Sequence, residues 1–564
     1  MRRFLLFALL LGILLIPAGL AAAMDVSDYV SFRWQVGDRT VPLYLTKASG
    51  ASSALYLPGG MENGKWTVAL QKCESVTIGD RTFRDGDEAD LTQWIGETVD
   101  IALSTGRKES GVKIMRGSAI PALFFTVAPE DLKRIHTKKS LDVREPASVV
   151  IADGQGGLEY ADAVKSLHMR GNSTLFGAKK PYQFKLEHST SLFGMGKGKT
   201  WLLLANWYDI SLIRNQMAMD LCNAAGLRGT PDSCQADVYF NGHYYGTYLL
   251  TEKIQLKEGR LDITDMEDAL EALNGEELLE KVRLKTDSKH STRVLRYFDV
   301  QEPADLTGGF LLEIEKSLHF SQNKEDAGFI TDGYMCVVIK EPSRVGPLAA
   351  DYIASLVNDF HNAVLEKDGI NRETGRHYTT YIDVRSFAMK IMVEELTANY
   401  DVRAASQFMY KDSDWKDEKL YAGPGWDYDL TCGNHEEGAR NPERPDFVYK
   451  RSGSNAHLYH WLLTHEDFRK ETRRLLTEEF LPLVDVLLGR ADPPEGSRLR
   501  SLAAYREEVR DSAAMNFTRW SPRVVQDITN ESGRTFDDAQ DYVLDWITRR
   551  SAMMGREWLV GDAP

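Results

Sequence analysis

Two kinds of charge, held far apart along the chain, constrain this sequence more than anything else in it. Arg170-Gly171-Asn172-Ser173-Thr174, followed by Lys179-Lys180-Pro181-Tyr182-Gln183-Phe184-Lys185, is basic and rich in hydrogen-bond donors. Asn399-Tyr400-Asp401 and Trp426-Asp427-Tyr428-Asp429 come much later and are acidic. A fold that uses both must bring distant segments together. Phosphate-compatible groups first and metal-compatible carboxylates later is the order of parts that a nucleotide-dependent phosphotransferase needs.

The length of 564 residues leaves room for roughly two to four domains. The formal net charge of −15 argues against a general binder of nucleic acid or anionic membrane. At the N-terminus, Arg2 and Arg3 precede an apolar run from Phe4 to Ile16, then Pro17-Ala18-Gly19-Leu20-Ala21-Ala22-Ala23. A basic start, a short apolar stretch and small residues make a signal peptide over 1–23, cleaved near Ala23. No later run is long and apolar enough to span a bilayer. The expectation is therefore a secreted, extracytoplasmic protein with no stable membrane span after cleavage. The five cysteines include no CxxC, which argues against a structural zinc site. Cys222 and Cys234 are near enough in sequence to pair, and export permits a disulfide without requiring one.

Residues 25–128 alternate in short runs such as Phe32-Arg33-Trp34-Gln35-Val36 and Trp66-Thr67-Val68-Ala69-Leu70, broken by turns. Strands at that spacing predict a small all-β sandwich, read as an accessory module. The charged stretch 129–147 reads as a linker. Beyond it the pattern mixes strands and helices. Tyr182 to Leu186 alternates, so Gln183 and Lys185 share one face of a strand. Leu212 to Ala225 has helical spacing and a stop at Gly226. Asn241-Gly242 between two apolar runs predicts a two-residue hairpin turn. A single acidic helix is expected over Asp265–Val282, long helices over 351–365 and 384–399, and mostly helix after 455.

Gly171 permits a tight turn, and Asn172, Ser173 and Thr174 offer donors to an anion. There is no GxGxxG and no Walker A motif, so this segment alone is equally a basic surface turn. Asp401 follows a helix. If 426–430 is extended, Asp427 and Asp429 point the same way and can clamp a hard divalent cation.

Taken together, these motifs resemble the CotH kinases, the spore-coat protein H family of atypical secreted protein kinases. The likeness runs through the segments quoted above and through Trp201-Leu202-Leu203-Leu204-Ala205-Asn206, Arg214-Asn215, Val238-Tyr239-Phe240-Asn241-Gly242 and Gly246-Thr247-Tyr248-Leu249-Leu250-Thr251-Glu252. It closes with Gly423-Pro424-Gly425-Trp426-Asp427-Tyr428-Asp429. The N-terminal β module lies outside it. The resemblance implies an α+β protein: an atypical protein-kinase-like domain over 147–490, with a C-terminal helical extension over 491–564, behind the β-sandwich-like domain. It implies transfer of the γ-phosphate of ATP, with Mg²⁺ or Mn²⁺, to serine or threonine of a protein substrate at the cell surface or spore coat. By carry-over Asp401 is the catalytic Asp, and Asp427 is the metal ligand with Asp429 as second candidate. Lys185 is the phosphate-contacting lysine, with Lys180 and Arg170 as runners-up. Asn172 and Ser173 line the phosphate loop, and Glu252 lies at the hinge beside adenine. Ser406 stands where many relatives carry a metal-binding Asn; a hydroxyl can ligate Mg²⁺ but lacks the amide's reach. The helix over 212–225 offers only Asp220 as an acid, and no glutamate emerges to pair with Lys185.

Two other readings compete. One is a non-catalytic surface or coat assembly scaffold, which need not bind ATP. The other is a cell-wall glycoside hydrolase. Carboxylates two apart on one strand would point the same way, about 6–7 Å apart, rather than flank a bond.

Overall fold

A computed structural model describes residues 25–558 apart from 51, 64–65, 138–142, 289–291, 404, 437–439, 445–456, 523–528 and 532. The expected signal peptide lies outside the described residues. The chain is α+β.

Near the N-terminus a four-stranded and a six-stranded sheet enclose one core. Phe32, Trp34 and Val68 come from the first, and Leu55, Ile101 and Ile114 from the second. The core does not close on itself. Phe124, Tyr239 and Tyr244 from the next unit, and Met515 from far downstream, pack into it.

That next unit is a closed seven-stranded barrel. Ala122–Thr126, grouped by sequence pattern with the N-terminal strands, pairs antiparallel with Glu145–Ala152 and parallel with Ser233–Phe240, and so seals it. The stretch read as a linker holds the helix Pro129–Thr137 and the start of the strand Glu145–Ala152. Tyr182, Phe184 and Leu186 fill the barrel while Lys185 is exposed, as period-two alternation requires. The hairpin turn forms where expected. Asn241 (φ 49°) and Gly242 (φ 79°) both take the left-handed backbone that a type I′ turn demands.

A second, seven-stranded sheet follows, in the order 284–287, 294–298, 328–330, 336–341, 310–315, 407–411, 420–422. Its two faces differ. Phe310, Leu312, Ile314, Val337 and Ile339 join the large helical core that holds Pro347–Leu365, Val384–Thr397 and Phe536–Arg556. Leu311, Phe408 and Tyr410 look the other way and pack on Ile254, Leu256, Leu261 and Ile263, the segment that leaves the barrel. The helix Arg214–Ala224 belongs to the barrel by sequence but is packed into the helical core. Its end is as expected, with Gly226 at φ 81°. The acidic stretch 265–282 forms two helices, Met266–Asn274 and Glu276–Lys281, divided at Gly275.

Helix Leu502–Arg519 returns to the beginning of the chain. Ser512 Oγ donates to Asp237 Oδ2 (2.7 Å), Ser118 N donates to Ser512 Oγ (2.9 Å), and Trp520 Nε1 donates to Tyr245 O (2.6 Å). All five cysteines are free, so Cys222 and Cys234 do not pair. Among the described residues no helix is long and apolar enough to cross a membrane.

Candidate functional site

The barrel strand Leu158–Met169 places Leu167 and Met169 inside and His168 outside. Arg170 follows, its N–H donating to Pro181 O (3.1 Å), and Gly171 turns the chain at φ 91°. A 3₁₀ turn, Ser173–Phe176, then leads away, with Asn172 exposed before it. The Arg170 guanidinium lies 5.7 Å from the Trp426 ring centre and acts electrostatically on Asp427. Ser173 hydrogen-bonds the hydroxyl of Tyr208, which in turn feels the charges of Asp429 and Asp401.

The acids arrive from the helical side. Helix Val384–Thr397 ends with Ala398 in the left-handed region. Buried Asn399 then ties two segments: its Oδ1 accepts from Asp401 N (3.0 Å), and its Nδ2 donates to Asp427 O (3.4 Å). Asp401 opens a turn closed by Ala405 N donating to Asp401 O (3.0 Å). Ser406 comes next, its Oγ donating to Asp427 Oδ2 (3.2 Å) and its N–H to Glu313 Oε1 (3.0 Å).

The loop carrying Asp427 and Asp429 is held from below. Tyr428 N donates to Asn215 Oδ1 (2.7 Å), and the Tyr428 hydroxyl donates to Glu394 (3.0 Å) and accepts from Lys390 (3.1 Å). Arg214 Nε donates to Thr431 O (3.1 Å), and Asn434 Nδ2 to Asp429 O (2.8 Å). The expected strand over 426–430 is absent: Asp427 sits at φ 69°, and the backbone turns rather than alternates. The carboxylates nevertheless converge, because the turn gathers what a strand would only have aligned. Ligand atoms of Asp401, Asp427 and Asp429 all lie within 4.8 Å of one another.

Burial and mutual repulsion govern this group. Asp401 is pushed up to about 7, first by burial and then by Asp427, with Lys316 opposing. Asp429 is raised well above the usual carboxylate range by burial and by Asp427 and Asp401. Asp427 is raised by burial, against the pull of Arg170 and the Ser406 hydroxyl. Three oxygen ligands, with a hydroxyl alongside, are a hard donor set suited to Mg²⁺ or Mn²⁺.

Of the residues expected here, Asp401, Asp427, Asp429, Ser406 and Arg170 meet, with Ser173 reaching them through Tyr208. The others do not. Lys185 pairs with Ser166, four residues up the strand from Arg170, roughly 13 Å along it. Lys180 donates to Leu175 O (2.6 Å), bracing the back of the loop. The Glu252 carboxylate accepts from Asp232 N (3.0 Å) and faces Arg260 at 3.9 Å. Tyr208, Lys316 and Glu313 went unread in the sequence. Only Asn399, two residues before Asp401 at a helix end, carried a local hint of its part. A family model described as CotH kinase protein matches residues 167–554. None of the curated proteins matches the chain.

Proposed function

The chain belongs to the CotH kinase family, and on that premise we propose that it is an exported protein kinase. It transfers the γ-phosphate of ATP to serine or threonine of extracytoplasmic, spore-coat-type proteins. The observation that carries this reading is the convergence of Asp401, Asp427 and Asp429 within 4.8 Å, with Arg170 acting on Asp427 from the barrel. A cation from the barrel and carboxylates from the helical side meet, as phosphoryl transfer requires.

Asp427 and Asp429, with the Ser406 hydroxyl, would hold the divalent cation. When bound, the cation neutralises charge on the transferring phosphates. Arg170 binds the phosphate oxygens and stays charged throughout. Asp401 orients the acceptor hydroxyl and takes its proton as the oxygen bonds to γ-phosphorus and the bond to the β-phosphate oxygen breaks, releasing ADP. Ser173 and Tyr208 support the phosphate loop above it.

Transfer of label from γ-labelled ATP by the mature protein, beside Asp401→Asn, tests the reading. Wild type should label an acceptor protein, and the variant should fall by roughly 10²–10⁴-fold while still binding nucleotide. Full transfer by the variant would remove Asp401 from the catalytic role. Neither label nor nucleotide binding by wild type would leave a coat-assembly scaffold in its place.

A further inference from the structure

Protein kinases hold the phosphates of ATP with a lysine that a glutamate orients. Asp220, the one acid of helix Arg214–Ala224, forms no such pair: it accepts from the Tyr505 hydroxyl (2.6 Å) and faces Arg500. A lysine–glutamate pair does stand next to the carboxylate group. Lys340 Nζ lies 3.6 Å from Glu313 Oε2, and Glu313 Oε1 accepts from Ser406 N (3.0 Å). Ser406 Oγ donates to Asp427 Oδ2 (3.2 Å). Lys340 is thus one glutamate and one serine removed from the metal-compatible acids.

The sheet aims it there. Strand Cys336–Glu341 pairs with Phe310–Glu315 so that Ile339 lies opposite Leu312 and Glu341 opposite Leu311. Lys340 is the extra residue of a bulge. Bulges re-aim side chains and are common beside active sites. Leu311 faces the segment leaving the barrel, whereas Leu312 and Ile339 face the helical core. Lys340 leaves that core by ordinary alternation, on the face of Val338 and of Glu313 opposite it, and the bulge re-aims Glu341 instead. Its side chain is 37 % exposed, whereas Glu313 is 14 % exposed, so a ligand can reach the lysine while the glutamate stays fixed. Asp326, also at 3.6 Å, holds the ammonium from the far side.

Half-buried Lys253 feels Glu341 first and then Lys340, Arg170 and Lys185, so charges from barrel, connecting segment and sheet act on one another there. His168, 5 % exposed with an unpartnered Nδ1, feels Arg170 and Lys253 from the barrel side.

We propose that Lys340, oriented by Glu313, is a polyphosphate-binding lysine of this protein, supplied by the second sheet. The proposal deepens the kinase reading and rests on it. Glu313 is a positioning residue: it fixes Lys340 with one oxygen and the Ser406 backbone with the other.

Titrating purified protein with Mg²⁺-ATP, Mg²⁺-tripolyphosphate and adenosine separates the two claims. Lys340→Met should weaken ATP and tripolyphosphate at least tenfold and adenosine less than twofold. Lys340→Arg should recover ATP binding to within about threefold. Glu313→Gln, which keeps an acceptor for Ser406 N, should lose about three- to tenfold. ATP and tripolyphosphate binding within twofold of wild type in Lys340→Met overturns the proposal and leaves the kinase reading standing. Equal loss for all three ligands also overturns it, since the lysine would then be structural. Failure of wild type to bind either polyphosphate ends both.

Discussion

Arg214 and the Asp401–Asp427–Asp429 group are neighbouring clusters of buried charge built on opposite terms. The Arg214 guanidinium meets Asp209 and, at 2.7 Å, Glu531, with all three side chains at 0 % exposure. Both acids there touch the cation, and the cluster joins the turn before helix Arg214–Ala224 to the Thr431 backbone and to residue 531. In the second group three acids face one another, with Arg170 acting on Asp427 and Lys316 on Asp401. Matched charge fixes backbone. Like charge held together costs stability, and a protein that tolerates it gains a place for a cation.

Removing Arg214 should do the most damage. Arg214→Met leaves two buried acids without their cation, and a loss of roughly 3–5 kcal/mol is expected in urea unfolding. A loss under about 1 kcal/mol would mean that the cluster is no strut and that the contrast fails.

Asp427→Asn should behave in the opposite sense. Without divalent cation the variant should be as stable as wild type or more so, because repulsion within the group falls. With Mn²⁺ or Mg²⁺ at a hundred times its dissociation constant, wild type should gain about 2.7 kcal/mol and the variant little. An equal gain in both would take Asp427 out of the metal site.

His168 tests the same logic with a base. Burial first, then Arg144, Arg170 and Lys253, lower its pKa to about 4. The unfolded chain then binds more protons than the folded one between about pH 6.5 and 4. The resulting stability is complete above about 6.5 and is lost as pH falls through that window. Near pH 5 the cost should be about 1–2 kcal/mol. The difference in unfolding free energy between wild type and His168→Gln, followed from pH 7 to 4, should carry that slope. A flat difference would place the imidazole in water.

What the sequence allowed to be read followed from how local the determinant was. Asn241-Gly242 specifies its turn with two residues, and the strand from Tyr182 declares its faces by alternation. Barrel closure by Ala122–Thr126 depends on a parallel pairing with residues 237–240, for which no local pattern stands. Asp401, Asp427 and Asp429 were legible as motifs, but their meeting comes from turns at Asn399 and Asp427, not from an extended strand. Lys185 was harder to place, because a strand lysine behind a glycine loop says nothing of its row along the barrel. The Glu313–Lys340 pair was invisible because it depends on the pairing register of two separate strands, with Glu313 opposite Val338.

The return of helix Leu502–Arg519 bears on how the chain becomes functional over time. Asp237, in the barrel wall, receives its Ser512 hydrogen bond from 275 positions later. Met515 completes the hydrophobic packing of the first sheets. As the polypeptide emerges end-first, the early strands are made long before the helix that covers them, and contacts of such long sequence separation form slowly. A product cut short before this helix would carry Asp401, Asp427 and Asp429 and still lack the helix that packs against the barrel and the first sheets.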